Sequence, residues 1–309
     1  MRNSGIIPKK SWRSRFVRTI TLESKNSWKL AVYPGIILLF IITIVPTLYA
    51  LFLSLQSYNL AKPNERHFNF FLNYVNIFLD RRFWNGFAKT ATFTVVSLCA
   101  ELILGMLLAL SLTKSVLLKS FVHICILIPM ITTPVVVGLV WKMFYDVQFG
   151  MLNYLLGFFG IGSIDMVGNN KLALLSLIII DIWEWTPYVT LILLAGLQSL
   201  PIEPYESAIV DGAGSLAIFR WITLPLLMPV LSVAVIFRFM DLFKWMDTIY
   251  VVTFGGPGFE TETLSYYTYA NTFKFLEIGY GSALCIFMLI VILVICNNVG
   301  KKILMKGRG

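Results

Sequence analysis

Residues 203–229 read EPYESAIVDGAGSLAIFRWITLPLLMP and separate two long apolar runs of the chain. Pro204 suits the first turn of a helix, where its missing N–H costs nothing. Glu203 and Glu206 lie near that helix start, where the positive end of the helix dipole favours carboxylates. The stretch therefore predicts a short polar helix at this point of the chain.

The second half of the stretch predicts a bend and a second helix. Asp211-Gly212 is a turn signal that can end the first helix and redirect the chain. A second short helix is then expected from Ser215 to Trp221, with Pro225 marking the start of the next apolar run. Two short helices at an angle form a shaped loop, which suggests a docking surface for a partner. An ordinary amphipathic surface loop is the alternative, and composition alone does not exclude it.

The composition indicates a membrane protein. Apolar residues make up 58% of the chain and charged residues 13%, whereas soluble domains carry about 25% charged residues. A spanning helix needs roughly 20 predominantly apolar residues. We therefore expect an all-α membrane protein with six transmembrane helices. The six stretches are approximately Leu30–Leu55, Phe87–Leu112, Phe121–Tyr145, Leu172–Gln198, Leu224–Lys244 and Ser282–Val299.

The net charge of +9 is concentrated before the first span and after the last one. Positively charged loops stay in the cytoplasm, so both termini and the loop that contains Glu206 are predicted to be cytoplasmic. The predicted organisation is a basic segment (1–29), one six-helix transmembrane domain (30–300) with its shaped loop at about 201–223, and a basic tail (301–309). The basic residues of the first segment are Arg2, Lys9, Lys10, Arg13, Arg15, Arg18, Lys25 and Lys29.

The sequence offers no cofactor or metal site. It has no Gly-rich phosphate loop of the kind that binds ATP, and its two histidines, His67 and His123, are isolated. We therefore expect no metal and no bound cofactor on this chain. Any ATP chemistry, with its Mg²⁺, is expected on another chain.

Polar residues inside the fourth span mark a candidate substrate pathway. Asp181, Glu184 or Trp185, and Tyr188 share one helix face by their spacing. Carboxylates at bilayer depth usually face the protein interior or water, because they are costly in lipid. Carboxylates can accept hydrogen bonds from hydroxyls, and aromatic rings offer flat faces to C–H groups. This segment therefore favours a polyhydroxylated ligand, and we include the neighbouring Trp183 in the candidate set.

The end of the fifth span carries a second group of polar residues. Arg238, Asp241 and Trp245 recur at helical spacing. They form either a second wall of the pathway or an internal ion pair, in which Arg238 or Lys244 binds an acidic residue of these two spans. Glu101 is alone in the second span and is interpreted as structural.

The shaped loop resembles a known family signature. The order Glu206-Ser-Ala208-x-x-Asp211-Gly212-Ala213, followed by Phe219-x-x-Ile222-x-Leu224-Pro225, resembles the Glu-Ala-Ala loop of ABC importer membrane subunits. Ser207 replaces the usual Ala of that signature, and it is also small.

Further motifs resemble the carbohydrate branch of that family. They are Ala195-Gly-Leu-Gln198-x-Leu-Pro201, Gly255-Gly-Pro257 and Glu101-Leu-x-Leu-Gly105. The resemblance extends from about residue 30 to residue 300. It implies the type I ABC importer permease fold, similar to the maltose-type permease, and a binding-protein-dependent importer in a bacterial cytoplasmic membrane.

The resemblance also implies partners and roles for residues. The loop would form a coupling helix against a dimer of ATP-binding cassette subunits. A second, related permease would complete a heterodimer, and an extracytoplasmic binding protein would deliver the substrate, a neutral sugar or polyol. The implied coupling residues are Glu206, Ser207, Ala208, Asp211, Gly212 and Ala213. The pathway residues that the resemblance implies are Asp181, Glu184, Trp185 and Tyr188. The candidate pathway set also includes Trp183 and, as the second wall, Arg238, Asp241 and Trp245. The implied binding-protein contacts are Gly255, Gly256, Pro257, Glu260 and Glu262, together with Tyr266 and Tyr267.

An ion-coupled secondary transporter is the alternative. It would also place charges at the midplane, with Asp181 and Glu184 as a proton or cation relay, but it has no need of a shaped cytoplasmic loop. A membrane-embedded enzyme would require a cluster of His, Cys or carboxylates at the water boundary, and the sequence contains none.

Overall fold

The computed structural model describes residues 27–113 and 119–306. The chain divides into two compact units, residues 1–53 and 54–309. In its described part, the first unit is a single apolar helix, α1 (Ser27–Ser54), which contains Pro34 and Pro46. The predicted basic segment lies outside the described residues except for 27–29, as do the last three residues of the tail.

The second unit is almost entirely helical in its described part. Its two short strands, β1 (Gln56–Ser57) and β2 (His67–Phe68), pair antiparallel. Its helices are α2 (Leu72–Leu79), α3 (Arg81–Thr113), α4 (Lys119–Ile131), α5 (Pro134–Phe144), α6 (Met151–Phe158), α7 (Ala173–Gln198), α8 (Glu203–Val210), α9 (Ser215–Ile218), α10 (Leu224–Lys244), α11 (Asp247–Val252), α12 (Leu264–Tyr269) and α13 (Ile278–Lys306).

Five helices within the described ranges are long and apolar enough to cross a membrane. Their mean hydropathies run from 1.6 to 2.7, and each overlaps one of the six predicted spans. They are Val32–Ser54, Arg81–Thr113, Ala173–Gln198, Ser215–Val252 and Ile278–Lys301.

The third predicted span, Phe121–Tyr145, is not one continuous helix. It is divided into α4, of 13 residues, and α5, of 11 residues. The break lies at Thr133, whose backbone is extended, because the ring of Pro134 disfavours helical geometry in the residue before it. Pro134 then occupies the first position of α5, where its missing N–H is tolerated.

The centre of the second unit is built from α3, α7 and α10, and α3 packs most extensively against α7. Glycines allow these helices to approach closely. A Cβ added to Gly105 of α3 would lie 2.8 Å from Cγ1 of Val189 on α7. A Cβ added to Gly196 of α7 would lie 2.8 Å from Cδ1 of Leu227 on α10. The spacing of the three helices therefore depends on two residues that carry no side chain.

Replacing Gly105 with Leu is expected to force α3 and α7 apart. Overpacking of a tight interface typically costs about 1–3 kcal/mol, so the variant should lower the thermal unfolding midpoint of the protein purified in detergent. Gly300→Leu is the matched control, because a Cβ at Gly300 of α13 meets nothing within 4 Å. Equal effects of the two substitutions would contradict this account of the interface.

Candidate coupling loop and intramembrane charge cluster

The 201–223 loop begins with α8, which ends at the predicted Asp211-Gly212 turn. Gly212 has φ of +77°, a left-handed conformation that glycine adopts without steric cost. Its N–H donates to the carbonyl of Ile209 at 3.0 Å, and the N–H of Ala213 donates to the carbonyl of Ala208 at 2.9 Å. These two bonds form the Schellman motif, which closes the C-terminal end of a helix. The turn is therefore fixed by the backbone as well as by the residue type.

The second half of the loop differs from the prediction. Instead of a separate helix that ends at Trp221, α9 runs into a π-helical turn (Phe219–Thr223) and then directly into α10. The hydroxyl of Tyr205 on α8 donates to Oγ1 of Thr223 at 3.2 Å. Only the first short helix therefore stands apart from the following span, and it is bonded to the base of that span.

The outer surface of the loop combines acidic and apolar side chains. Four of the predicted coupling residues are exposed, namely Glu206, Ser207, Asp211 and Gly212, and Ala213 is half-buried. Ala208 is buried, so it packs beneath α8 and is not part of the outer surface. Large apolar side chains beside them are also exposed: Ile209 (65%), Val210 (87%), Leu216 (80%) and Trp221 (73%). Several large apolar side chains exposed in one short loop are typical of an interaction site.

A buried ion-pair cluster joins the three central helices. Arg238 of α10 donates from Nε and Nη2 to the two carboxylate oxygens of Glu101 on α3, both at 2.6 Å. Its Nη2 also lies 3.1 Å from Oδ2 of Asp181 on α7. All three side chains are at most 1% exposed. We call Arg238, Glu101 and Asp181 the Arg238 cluster. The pair between Arg238 and Asp181 is one of the internal ion pairs that the sequence left open, and the second wall of the pathway stays a prediction.

Glu184 lies one turn further along α7 and has a different environment. Its side chain is fully buried, and neither carboxylate oxygen has a hydrogen-bond partner among the described residues. The guanidinium of Arg238 lies 5.1 Å from the ring centre of the adjacent Trp185. Other buried polar atoms are also unpartnered within the described part of the chain: the indole N–H groups of Trp185 and Trp245 and the hydroxyls of Thr94, Ser97 and Thr186.

The structure brings together only part of the predicted pathway set. Tyr188 is half-buried, and its ring centre lies 6.1 Å from that of Trp185. Trp245 is buried and stacks on Phe93 at 4.6 Å. Trp185 connects Tyr188 to the Arg238 cluster, and we group these residues with Glu184 and Trp245 as the interior candidate site.

Two members of the predicted set lie elsewhere. Trp183 is 44% exposed and packs against Trp141, with their ring centres 5.7 Å apart. It follows Asp181 by two residues, so it lies on nearly the opposite face of the helix. Asp241 forms a surface ion pair with Lys244 at 3.0 Å. Neither side chain reaches the Arg238 cluster. Glu101, which the sequence did not single out as a partner of Arg238, forms its shorter hydrogen bonds. A lone carboxylate and a lone guanidinium in two spans are a signal for such pairing.

In the loop after α11, the burial of Glu262 contradicts its prediction as a binding-protein contact. Glu262 is buried and accepts two hydrogen bonds from Arg82 of α3, from Nε and from Nη2, both at 2.7 Å. The neighbouring Glu260 is half-buried and forms an ion pair with Lys89. Glu262 therefore holds the loop to α3 and has no free surface to offer a partner.

The tyrosines of this region are internal as well. Tyr266 and Tyr267 are each 3% exposed, which corrects the prediction that they contact a binding protein. Tyr267 donates a hydrogen bond to Asp80. Burial, and then this hydrogen bond, raise the pKa of the Tyr267 hydroxyl, which keeps it a donor. Gly255 is buried beside Tyr266, while Gly256 and Pro257 are half-buried.

A metal site is not evident in the ranges 27–113 and 119–306. No group of three or more His, Cys, Asp or Glu side chains there is arranged so that it could hold a metal ion.

Comparison with known proteins identifies the family. Residues 101–303 match the family described as binding-protein-dependent transport system inner membrane component. A probable ABC transporter permease, y4oQ of Sinorhizobium fredii, is 36% identical over 263 residues, which are 85% of each chain. The trehalose/maltose transport system permease MalF of Thermococcus litoralis is 34% identical over 264 residues, 85% of this chain and 89% of the relative.

A solved structure shows the same fold. A chain of a bacterial ABC transporter that imports the acidic polysaccharide alginate has a TM-score of 0.78 with this structure. The match covers 95% of this chain and 99% of that chain at 22% sequence identity. The protein is thus a helical membrane protein with an ABC importer permease fold, and it belongs to the family of binding-protein-dependent transport system inner membrane components.

Proposed function

We propose that this chain is the membrane-spanning permease subunit of a sugar-importing ABC transporter in a bacterial cytoplasmic membrane. It forms half of the translocation pathway and couples transport to ATP hydrolysis on a separate, Mg²⁺-dependent ATP-binding cassette dimer. The observation that carries this proposal is the 201–223 loop, whose exposed acidic and apolar surface is bonded to the base of α10. A secondary transporter has no need of such a loop.

The membrane topology is part of the proposal. The broken pair α4 and α5 would together make a sixth crossing between α3 and α7, since each helix alone is shorter than the roughly 20 residues that a span requires. Six crossings would leave both termini and the 201–223 loop on the cytoplasmic side, as the positive charge before the first span favours.

The substrate is proposed to be a neutral sugar or polyol. Relatives named for trehalose and maltose support a sugar. In the interior site, Glu101, Asp181 and Glu184 face a single guanidinium, Arg238, so the surplus of carboxylates disfavours an anionic substrate. Glu184 and the indole N–H groups of Trp185 and Trp245 offer free acceptors and donors to hydroxyl groups, with Tyr188 beside them.

The partners are proposed by family. A second, related permease would complete the pathway as a heterodimer, and an extracytoplasmic binding protein would dock near Gly255, Gly256, Pro257 and Glu260. One solved relative is a complex with a substrate-bound periplasmic protein, which supports this expectation. Glu262 is proposed to hold that surface in place through Arg82.

The test is the ATPase activity of the complex, co-purified with its ATPase subunits, partner permease and binding protein. We expect stimulation by the binding protein loaded with one member of a panel of sugars and polyols. Lack of any associated ATPase subunit, together with ion-dependent uptake by this chain alone, would identify a secondary transporter instead. Buried and unpartnered Glu184 would then be the candidate relay.

A further inference from the structure

We propose that Arg238 exchanges carboxylate partners during the transport cycle, from Asp181 in the arrangement seen here to Glu184 after α10 moves. This inference rests on the proposed function, because it needs a cycle that displaces α10. It assigns to Glu184 a role that the present contacts leave open.

The bonds of Arg238 differ in length. Two hydrogen bonds of 2.6 Å connect it to Glu101, while its contacts with Asp181 are 3.1 and 3.2 Å. The bidentate pair with Glu101 has the geometry of the stronger interaction. Asp181 is therefore the partner that is more easily replaced, and Glu101 is the one expected to remain.

Glu184 is the available replacement. It follows Asp181 by three residues, so its Cα lies about 4.5 Å further along the helix axis on a neighbouring part of the same face. Both of its carboxylate oxygens are buried and unpartnered in the described structure. Arg238 and the carboxylates of Asp181 and Asp247 lie close enough to act on it electrostatically. Arg238 is the one cation in that group, and a buried carboxylate requires a partner if it is ionised.

Trp185 lies where the exchange would take place. Trp185 directly follows Glu184 in the sequence, and its ring centre is 5.1 Å from the guanidinium of Arg238. A guanidinium that moves across an aromatic face keeps a favourable cation–π interaction while its hydrogen bonds change. The arrangement therefore lowers the cost of passing from one carboxylate to the other.

The 201–223 loop provides the displacement. Tyr205 bonds α8 to Thr223 in the π-helical turn, and that turn continues into α10 without a break. A movement of α8 against an ATPase subunit would pass along α10 to Arg238, 14 positions beyond Leu224 or about 21 Å. Once Arg238 binds the carboxylate of Glu184, that carboxylate no longer accepts hydrogen bonds from a substrate. The exchange therefore also favours release of the substrate.

Two substitutions that remove one charge each test the exchange, in the complex with its ATPase subunits, partner permease and binding protein. Asp181→Asn weakens the resting arrangement, so it should raise the unstimulated ATPase rate and lower the thermal midpoint of the nucleotide-free complex. Glu184→Gln weakens the alternative arrangement, so it should lower the stimulated ATPase rate at least about fivefold, as a typical allosteric coupling allows. It should not lower the resting thermal midpoint. Glu65→Gln, in an exposed pair with Lys62, is the charge-matched control.

Opposite effects of the two variants on the ATPase would support the exchange. A purely structural cluster predicts parallel losses, and the loss of a substrate acceptor at Glu184 predicts no rise in the unstimulated rate of Asp181→Asn. Wild-type stimulation in Glu184→Gln would overturn the inference. So would a fall in thermal midpoint for Glu184→Gln equal to that for Asp181→Asn, a comparison that needs no ATPase activity. If the wild-type complex itself holds no ATPase subunit, the proposed function is what fails.

Discussion

Replacing Arg238 with Gln is expected to lower the free energy of unfolding by about 3–5 kcal/mol, the usual cost of removing one partner from a buried ion pair. The substitution leaves Glu101 and Asp181 buried without their shared cation, at the contact of α3, α7 and α10. Thermal unfolding of the purified permease in detergent, followed by loss of monodisperse protein, measures the effect. Arg238→Lys should fall between the variant and the wild type, because it keeps the charge but loses the bidentate geometry.

Lys244→Gln is the matched control for Arg238. It removes a positive charge from the same helix, but Lys244 is largely exposed and its ion pair with Asp241 lies at the surface. Exposed pairs contribute about 0–1 kcal/mol, so the control should unfold close to the wild-type temperature. If Arg238→Gln and Lys244→Gln unfolded at the same temperature, the energetic importance of the Arg238 cluster would be refuted.

Most of the helical architecture could be predicted from the sequence, because long apolar runs have one stable form in lipid. The exception, Phe121–Tyr145, is predominantly apolar, and its composition alone predicts a single span. Pro134 sits inside that run, and its effect on the backbone of Thr133 divides the helix. The turn at Gly212 was predictable for the same local reason, since its chemistry depends on neighbouring residues only.

The candidate site was less predictable because its contacts join distant parts of the chain. Helical spacing places Asp181 and Glu184 on one face but does not say which neighbour that face meets. Only the packing of α3 against α7 and α10 shows that Glu101 and Asp181 share Arg238 while Glu184 is left without a partner. Glu262 is similar: in sequence it belongs to a polar loop, and its burial depends on Arg82, 180 positions away.

Replacing Glu206 with Lys is expected to reduce stimulated ATPase activity and transport at least about tenfold, the cost of losing a charged pair at a protein interface. Glu206 is exposed in the first turn of α8, beside the exposed apolar surface of Ile209 and Val210. A carboxylate there can bind a cation of the ATPase subunit with charge-assisted hydrogen bonds, and a lysine would repel it. The cap at Gly212 and the Tyr205–Thr223 bond do not involve the Glu206 side chain. Assembly of the two permeases should therefore persist.

Glu203→Lys distinguishes a lost contact from a weakened helix. Glu203 is also exposed in the first turn of α8, so reversing its charge opposes the helix dipole to the same extent, by about 0.3–1 kcal/mol. ATPase rate and co-purification of the ATPase subunits should be measured for both variants with the same binding protein. A large loss in Glu206→Lys with a small one in Glu203→Lys indicates a specific contact at Glu206. Equal losses would indicate that both substitutions act by weakening α8. Wild-type transport in Glu206→Lys would show that Glu206 is not part of the coupling surface.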